Sequence, residues 1–268
     1  MKRIIKNPAP NSLIDYSSAV PNSTWEQMRN DGVNNGQNAY HDCRRQAVED
    51  QQNLCAYCEL KITSDDQTHC SIEHFHPASD KSKDNNWALD WNNMLAVCDG
   101  GSRSKSNERI IFPLPDNLSC DSHKDRMIQT GKLPIKCEGH ILNPLEIPAF
   151  PNLFTLDKGT GFYKSNDTSC TKAKISGNKY ETTTELVDNT IDMLNLNCSR
   201  LAAMRRMLII NIDQNKKQLR LKHYTPAEVP TKLIERYFTK KWPEFFTALR
   251  CCLGETAEKY LESINYKG

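Results

Sequence analysis

The sequence predicts a mainly helical α+β fold. Three observations carry this: a helical run leading into a C-x-x-C pair, a polar and broken stretch from Asp65 to Lys136, and amphipathic periodicity over the last third of the chain. Residues 37–53, QNAYHDCRRQAVEDQQN, hold neither Pro nor Gly and are rich in helix formers, so they read as a helix that delivers Cys55. From Asp65 to Lys136, Pro, Gly, Asn and Ser interrupt every periodic run, which predicts loop-rich structure held by a metal. Prolines at 144, 148 and 151 then precede a short alternating stretch, read as loops and a hairpin turning at Lys158 to Gly161. Residues 184–220 return to helix, with Leu186, Ile191, Leu194, Leu201, Met204 and Leu208 spaced for a buried stripe. A last amphipathic stretch, 231–252, carries Ile234, Phe238, Trp242, Phe245 and Leu249, with Pro243 placed to kink or divide it. That aromatic stripe is most simply core packing, with a partner-binding face as the alternative. The division expected is residues 1–150 as a metal-braced domain and 151–268 as a mainly helical region available for partner docking.

A chain of 268 residues buries roughly three quarters of its unfolded surface, so its core needs no disulfides. With 38% hydrophobic and 25% charged residues and a mean hydropathy of −0.67, it is a polar globular protein rather than a disordered one. The start, MKRIIKNPAPNSLIDY, lacks the apolar run and cleavage site of a signal peptide, and nowhere do about 18 apolar residues follow one another. A cytoplasmic location with reduced thiols and no membrane is the expectation. Eleven cysteines, an odd number, then speak for metal ligation over a complete disulfide framework. Cys43, Cys70, Cys137, Cys170, Cys198, Cys251 and Cys252 are expected to be bystanders.

A net charge of +2 excludes a uniformly basic protein. Between residues 200 and 250, however, twelve Lys or Arg (Arg200, Arg205, Arg206, Lys216, Lys217, Arg220, Lys222, Lys232, Arg236, Lys240, Lys241, Arg250) face four acids (Asp213, Glu228, Glu235, Glu244). Such a segment either neutralises phosphates or is a solvated helix face. Arg103, Lys105 and Arg109 on the Gly- and Ser-rich loop 99–119 offer the same two readings.

Cys55-Ala-Tyr-Cys58 is a knuckle whose two thiolates can share one tetrahedral zinc. The rival, a redox pair, lacks a surrounding βαβ pattern. Cys98 and Cys120 complete a four-cysteine site across an unusually long interval, with Cys137 as the replacement ligand. Between these cysteines stand Ser71-Ile72-Glu73-His74-Phe75-His76-Pro77, Asn93 five residues before Cys98, and Cys120-Asp121-Ser122-His123-Lys124. His74 suits a general base, because imidazole titrates near neutrality. The carboxylates of Glu73 and Asp121 suit a hard divalent ion, Mg2+ or Mn2+, with His123 as an alternative ligand, and Lys124 could contact phosphate. His41, His69, His76, His140 and His223 are read as surface or structural residues, His76 the least secure of them.

In order and spacing these elements resemble the HNH nuclease superfamily: C-x-x-C, an acid-His-x-x-Pro step, a spaced Asn, and a final cysteine followed by Asn, His or Asp and then Lys. CAYCE, IEHFHP, LNP at 142–144 and LNLN at 194–197 look more narrowly like the retron-associated and Septu-type HNH proteins, the PtuB group, from the N-terminus to about residue 210. The resemblance implies a ββα-metal nuclease core with a zinc knuckle at Cys55, Cys58, Cys98 and Cys120. It implies a catalytic set of His74, Asn93, Glu73 and Lys124, with the Asn93 amide orienting the reactive ring. It further implies an antiphage endonuclease acting on DNA or RNA beside an ABC-type ATPase, PtuA, and in retrons beside a reverse transcriptase and its RNA-DNA product. Ser119 stands where the family often has His, and Glu73 where many members have Asp. The alternative function is a non-catalytic zinc-containing subunit that binds nucleic acid or docks the ATPase.

Overall fold

The computed structural model describes residues 1–66, 68–80, 85–239 and 241–268. It is mostly helical with few strands. Three helices come first: α1 (Asn11–Ala19), α2 (Trp25–Asn30) and α3 (Gly36–Asp50). Thr24 starts α2 by accepting the Gln27 amide while the Gln27 side chain accepts from the Thr24 amide, which satisfies two otherwise orphaned donors. The predicted helix is α3, and the turn after it places Cys55 as expected.

The segment read as loop-rich contains more order than its composition suggests. Strands β1 (Cys70–His74) and β2 (Met94–Cys98) pair antiparallel, with Cys70 opposite Cys98 at one end and His74 opposite Met94 at the other. Helix α4 (Ser106–Ile111) is exposed, whereas α5 (Cys120–Gln129) packs on β2, as does α3. Every residue of β2 is buried, so its sequence, MLAVC, shows no alternation to betray a strand. The hairpin β3 (Phe154–Leu156) and β4 (Tyr163–Ser165) turns over residues 157–162, where expected.

Helices α6 (Asp167–Lys172), α7 (Thr183–Met193), α8 (Ser199–Leu221), α9 (Glu228–Phe238), α10 (Phe246–Leu253) and α11 (Glu255–Ser263) complete the chain. The periodic run 184–220 is thus two helices, broken where Asn195 adopts a left-handed conformation. Leu186, Ile191, Leu194 and Leu201 are buried as predicted, but Met204 is 38% exposed because α8 turns that face outward. Pro243 does divide the last amphipathic stretch. Ile234, Phe238, Phe246, Leu249 and Leu261 form a core among the C-terminal helices, so the aromatic stripe lies inside and does not form an outward docking face. The larger core runs from the first helices through β1, β2 and β3 to Leu201 and Ile209.

Candidate active site and cysteine cluster

Cys55, Cys58, Cys98 and Cys120 bring their sulfurs within 4.8 Å of one another, all buried. The separations are 3.9 Å for Cys55 to Cys120, 3.5 Å for Cys58 to Cys98 and 3.7 Å for Cys98 to Cys120. Four thiolates about 2.3 Å from one ion would stand about 3.8 Å apart, so these edges match a tetrahedral zinc site. Burial pushes the Cys58 and Cys120 thiols up, whereas Cys55 is held low, against its own burial, by the thiols around it. Four buried cysteine sulfurs at this spacing are chemically suited to a divalent cation.

Two backbone features bring Cys120 there across the long interval. Gly100, at φ +61°, lets the chain press so close to residue 119 that a Cβ would meet the Ser119 carbonyl at 2.1 Å. The Ser119 amide donates to the Gly100 carbonyl at 2.9 Å, which closes the 99–119 loop. Cys120 itself takes a positive φ of 56°, held by its amide donating to the Leu194 carbonyl at 2.8 Å. Cys137, the reserve ligand, is elsewhere: its thiol donates to the Phe75 carbonyl at 3.2 Å. The remaining cysteines are buried or half-buried and free, as anticipated.

The residue after Cys120 faces a different centre. Glu73 on β1 and Asp121 on α5 confront each other, and burial together with the Glu73 charge holds the Asp121 carboxyl well above its usual range. One Asp121 oxygen is buried without a hydrogen-bond partner. Lys124, one turn along α5, forms an ion pair with Glu73. Burial alone would lower the Lys124 ammonium, but Glu73 outweighs it and keeps it above the ordinary range. Two facing carboxyl groups, one with a buried oxygen that has no partner among the described residues, offer hard oxygen ligands that fit a divalent cation. Lys124 is only 3% exposed, so its charge is spent on the carboxylates and is not presented to solvent as expected for a phosphate contact. His123 is not brought to this site either. Successive helical residues turn by about 100°, so His123 points away from Asp121, and the charges nearest it are Arg126 and Lys132.

His74 projects from the opposite face of β1. Its Nε2 lies 3.1 Å from the Ala88 carbonyl, and its ring meets the Trp25 ring edge-on at 5.0 Å. A carbonyl only accepts, so in the neutral ring Nε2 carries the proton and Nδ1 is left as the acceptor. Burial lowers the His74 pKa to about 4, with Lys124 and Lys6 adding to the effect against the Ala88 carbonyl. Among the described residues Asn93 makes no hydrogen bond to this ring. Its carboxamide accepts from the His76 amide at 2.6 Å and donates to the carbonyls of His76 and Trp87, both at 2.9 Å. It therefore clamps the backbone on either side of the loop that carries Ala88.

No family model matches the chain. An Escherichia coli protein named as a candidate HNH endonuclease of retron Ec83 is 37% identical over 226 residues, covering 83% of this chain and 84% of that one. The chain belongs to the retron-associated HNH endonucleases. Apart from Asn93 and His123, the endonuclease places its sequence-predicted residues in three groups: the thiol cluster, the Glu73–Asp121–Lys124 cluster, and His74 with its backbone acceptor.

Sequence reasoning missed the Ala88 carbonyl, which no side chain announces, and Trp25, which arrives from α2. It also left aside His76, which is buried between Glu138 at Nδ1 and Asp80, 2.8 Å from Nε2. Part of the basic segment is structural. Arg205 donates to the carbonyls of Gly161 and Leu196, Arg200 to the Ser119 hydroxyl, and Arg250 to both oxygens of Glu258. Lys240 lies outside the described residues. Among the described residues no helix is long and apolar enough to cross a membrane.

Proposed function

We propose that the endonuclease hydrolyses nucleic-acid phosphodiester bonds in a ββα-metal core made of β1, β2 and α5, within residues 1–150. His74 is its general base. The observation that carries this reading is the Ala88 carbonyl at Nε2 of His74, which leaves Nδ1 unprotonated and aimed away from its anchor. Nδ1 takes a proton from water as the water oxygen bonds to phosphorus and the bridging P–O bond breaks. Because burial keeps the ring neutral, the base is available well below neutral pH. Asn93 contributes through the loop backbone, and Lys124 holds the Glu73 side chain in place through their ion pair.

Glu73 and Asp121 would hold Mg2+ or Mn2+, and the four cysteines would hold a structural zinc. The hard ion, when bound, supplies charge neutralisation for the phosphate and the leaving oxygen.

The wider reading is an effector nuclease of antiphage defence, working with a PtuA-type ABC ATPase and, in a retron, with a reverse transcriptase and its RNA-DNA product. The retron name of the relative supports it. Purified protein assayed against duplex DNA, single-stranded DNA and structured RNA with Mg2+, with and without the neighbouring ATPase, tests both levels. Cutting that requires Mg2+ and is lost in His74→Ala is the expected result. Equal cutting by that variant would overturn the assignment.

A further inference from the structure

Two residues beyond His74, and on the same stretch of chain, stands a second histidine whose surroundings differ in every respect. The His76 ring is buried and stacked on Trp87, with centroids 4.0 Å apart and planes 30° from parallel. Each of its nitrogens faces a carboxylate: Nδ1 meets Glu138, and Nε2 meets Asp80 at 2.8 Å. Both ring nitrogens are thus engaged by neighbouring side chains, and neither is open to a reacting group. Lys136, 2.6 Å from Asp80, ties the same cluster to the segment that bears Glu138.

This cluster sits where the position of Ala88 is decided. The backbone of His76 exchanges hydrogen bonds with the Asn93 side chain, which also holds the Trp87 carbonyl, and Trp87 immediately precedes Ala88. The plane of Trp87 rests on the His76 ring. On the other flank, Asn86 donates to the carbonyls of Pro21 and Ser23, both at 2.8 Å, near the helix that supplies Trp25 to the His74 ring. The Ala88 carbonyl, the single hydrogen-bond partner of the His74 ring among the described residues, is therefore placed by a chain of contacts that begins at His76.

We propose that His76 is a positioning residue: pinned between Asp80 and Glu138, it sets the Trp87–Ala88 backbone so that the Ala88 carbonyl fixes His74 as the Nε2–H tautomer. The inference rests on the reading of His74 as the base, but its structural half can be measured without any substrate. A catalytic imidazole needs the right nitrogen free, and the partner of its other nitrogen decides which one that is. His76 supplies no proton and touches no reacting atom.

The test is long-range 15N–1H NMR of the histidine rings in the zinc-loaded full chain, with cleavage kinetics alongside. Wild type shows His74 as Nε2–H. His76→Ala shows a mixture of both tautomers for His74 and loses about 10- to 100-fold in kcat with KM little changed, the scale of losing an outer partner of a working histidine. Glu138→Gln, which keeps the shape and an acceptor but removes a charge, shows the same change in smaller degree and covers the case in which His76→Ala does not fold. A His74 that stays wholly Nε2–H in Glu138→Gln and in folded His76→Ala overturns the proposal. Failure of the underlying reading looks different: His74→Ala would then cut normally whatever the tautomer spectra show.

Discussion

The thiol cluster and the carboxylate cluster are built on consecutive residues, Cys120 and Asp121, at the start of one helix, yet they are finished to different degrees. The four sulfurs already stand within 4.8 Å of one another, as the corners of a tetrahedral site would, and the chain goes to some length to bring them there, with a left-handed Cys120 and a Gly100 that admits the Ser119 carbonyl. The two carboxylates are brought face to face and left short of cations, with one buried oxygen unpaired. A closed ligand shell stabilises a fold, whereas an incomplete one leaves coordination positions for water and substrate. The difference teaches that one helix N-terminus can serve both purposes when adjacent residues point in different directions.

The sharpest way to break the comparison is to take one thiol away. Cys58→Ser should cost on the order of 10 kcal/mol of folding free energy if the cluster binds zinc, because the segment that it ties together has little regular structure of its own. Insoluble or unfolded protein without zinc by elemental analysis is the expected outcome. A folded, active, fully zinc-loaded variant would show that the thiols do not share an ion.

Next in size is His74→Ala, which removes the proposed proton acceptor but none of the proposed ligands of either centre. Turnover should fall by about 100- to 10000-fold while the thermal melt and zinc content stay near wild type. A parallel collapse of the melt would assign His74 to structure.

Asp121→Asn separates the two centres at their closest point. It replaces a buried carboxyl, held well above its usual range, by a neutral carboxamide of the same shape, so the metal-free protein should change in stability by about 1 kcal/mol or less. Zinc should be retained, and Mn2+ binding followed by electron paramagnetic resonance should weaken together with cutting. Loss of zinc instead of Mn2+ would mean that the ligands have been divided wrongly.

How much of this was legible in the sequence follows from how local each feature is. The cysteines were legible because a C-x-x-C pair is a short-range pattern, and α3, α8 and the split at Pro243 because helical periodicity and proline act locally. Strand β2 was not, since burial on both faces erases the alternation that marks a strand. His123 looked like a ligand only while its helix was unknown, for spacing of two residues puts it on the far side from Asp121. The partners of His76 lie four and 62 residues away, the second reached only through the fold, and the acceptor for His74 is a backbone carbonyl that any residue could supply.

The smallest predicted effect concerns His74 and acid. Its pKa is lowered by burial from 6.5 to about 4, so the folded chain resists a proton that the unfolded chain accepts. Between those two values the unfolded state binds more protons, and stability must fall as the pH falls through that window while remaining unaffected above it. The ring is partly exposed, so solvent screening trims the contribution to roughly 1 to 2 kcal/mol. Carboxylates titrate over the lower part of the same range, and the informative quantity is therefore the difference between wild type and His74→Gln. Denaturant midpoints at about pH 7, 5.5 and 4.5 should diverge, the variant losing less stability on acidification because it has no imidazole to charge. Parallel loss in the two proteins would mean that His74 is as easily protonated in the fold as outside it, and would remove the argument that burial keeps it neutral for its work as a base.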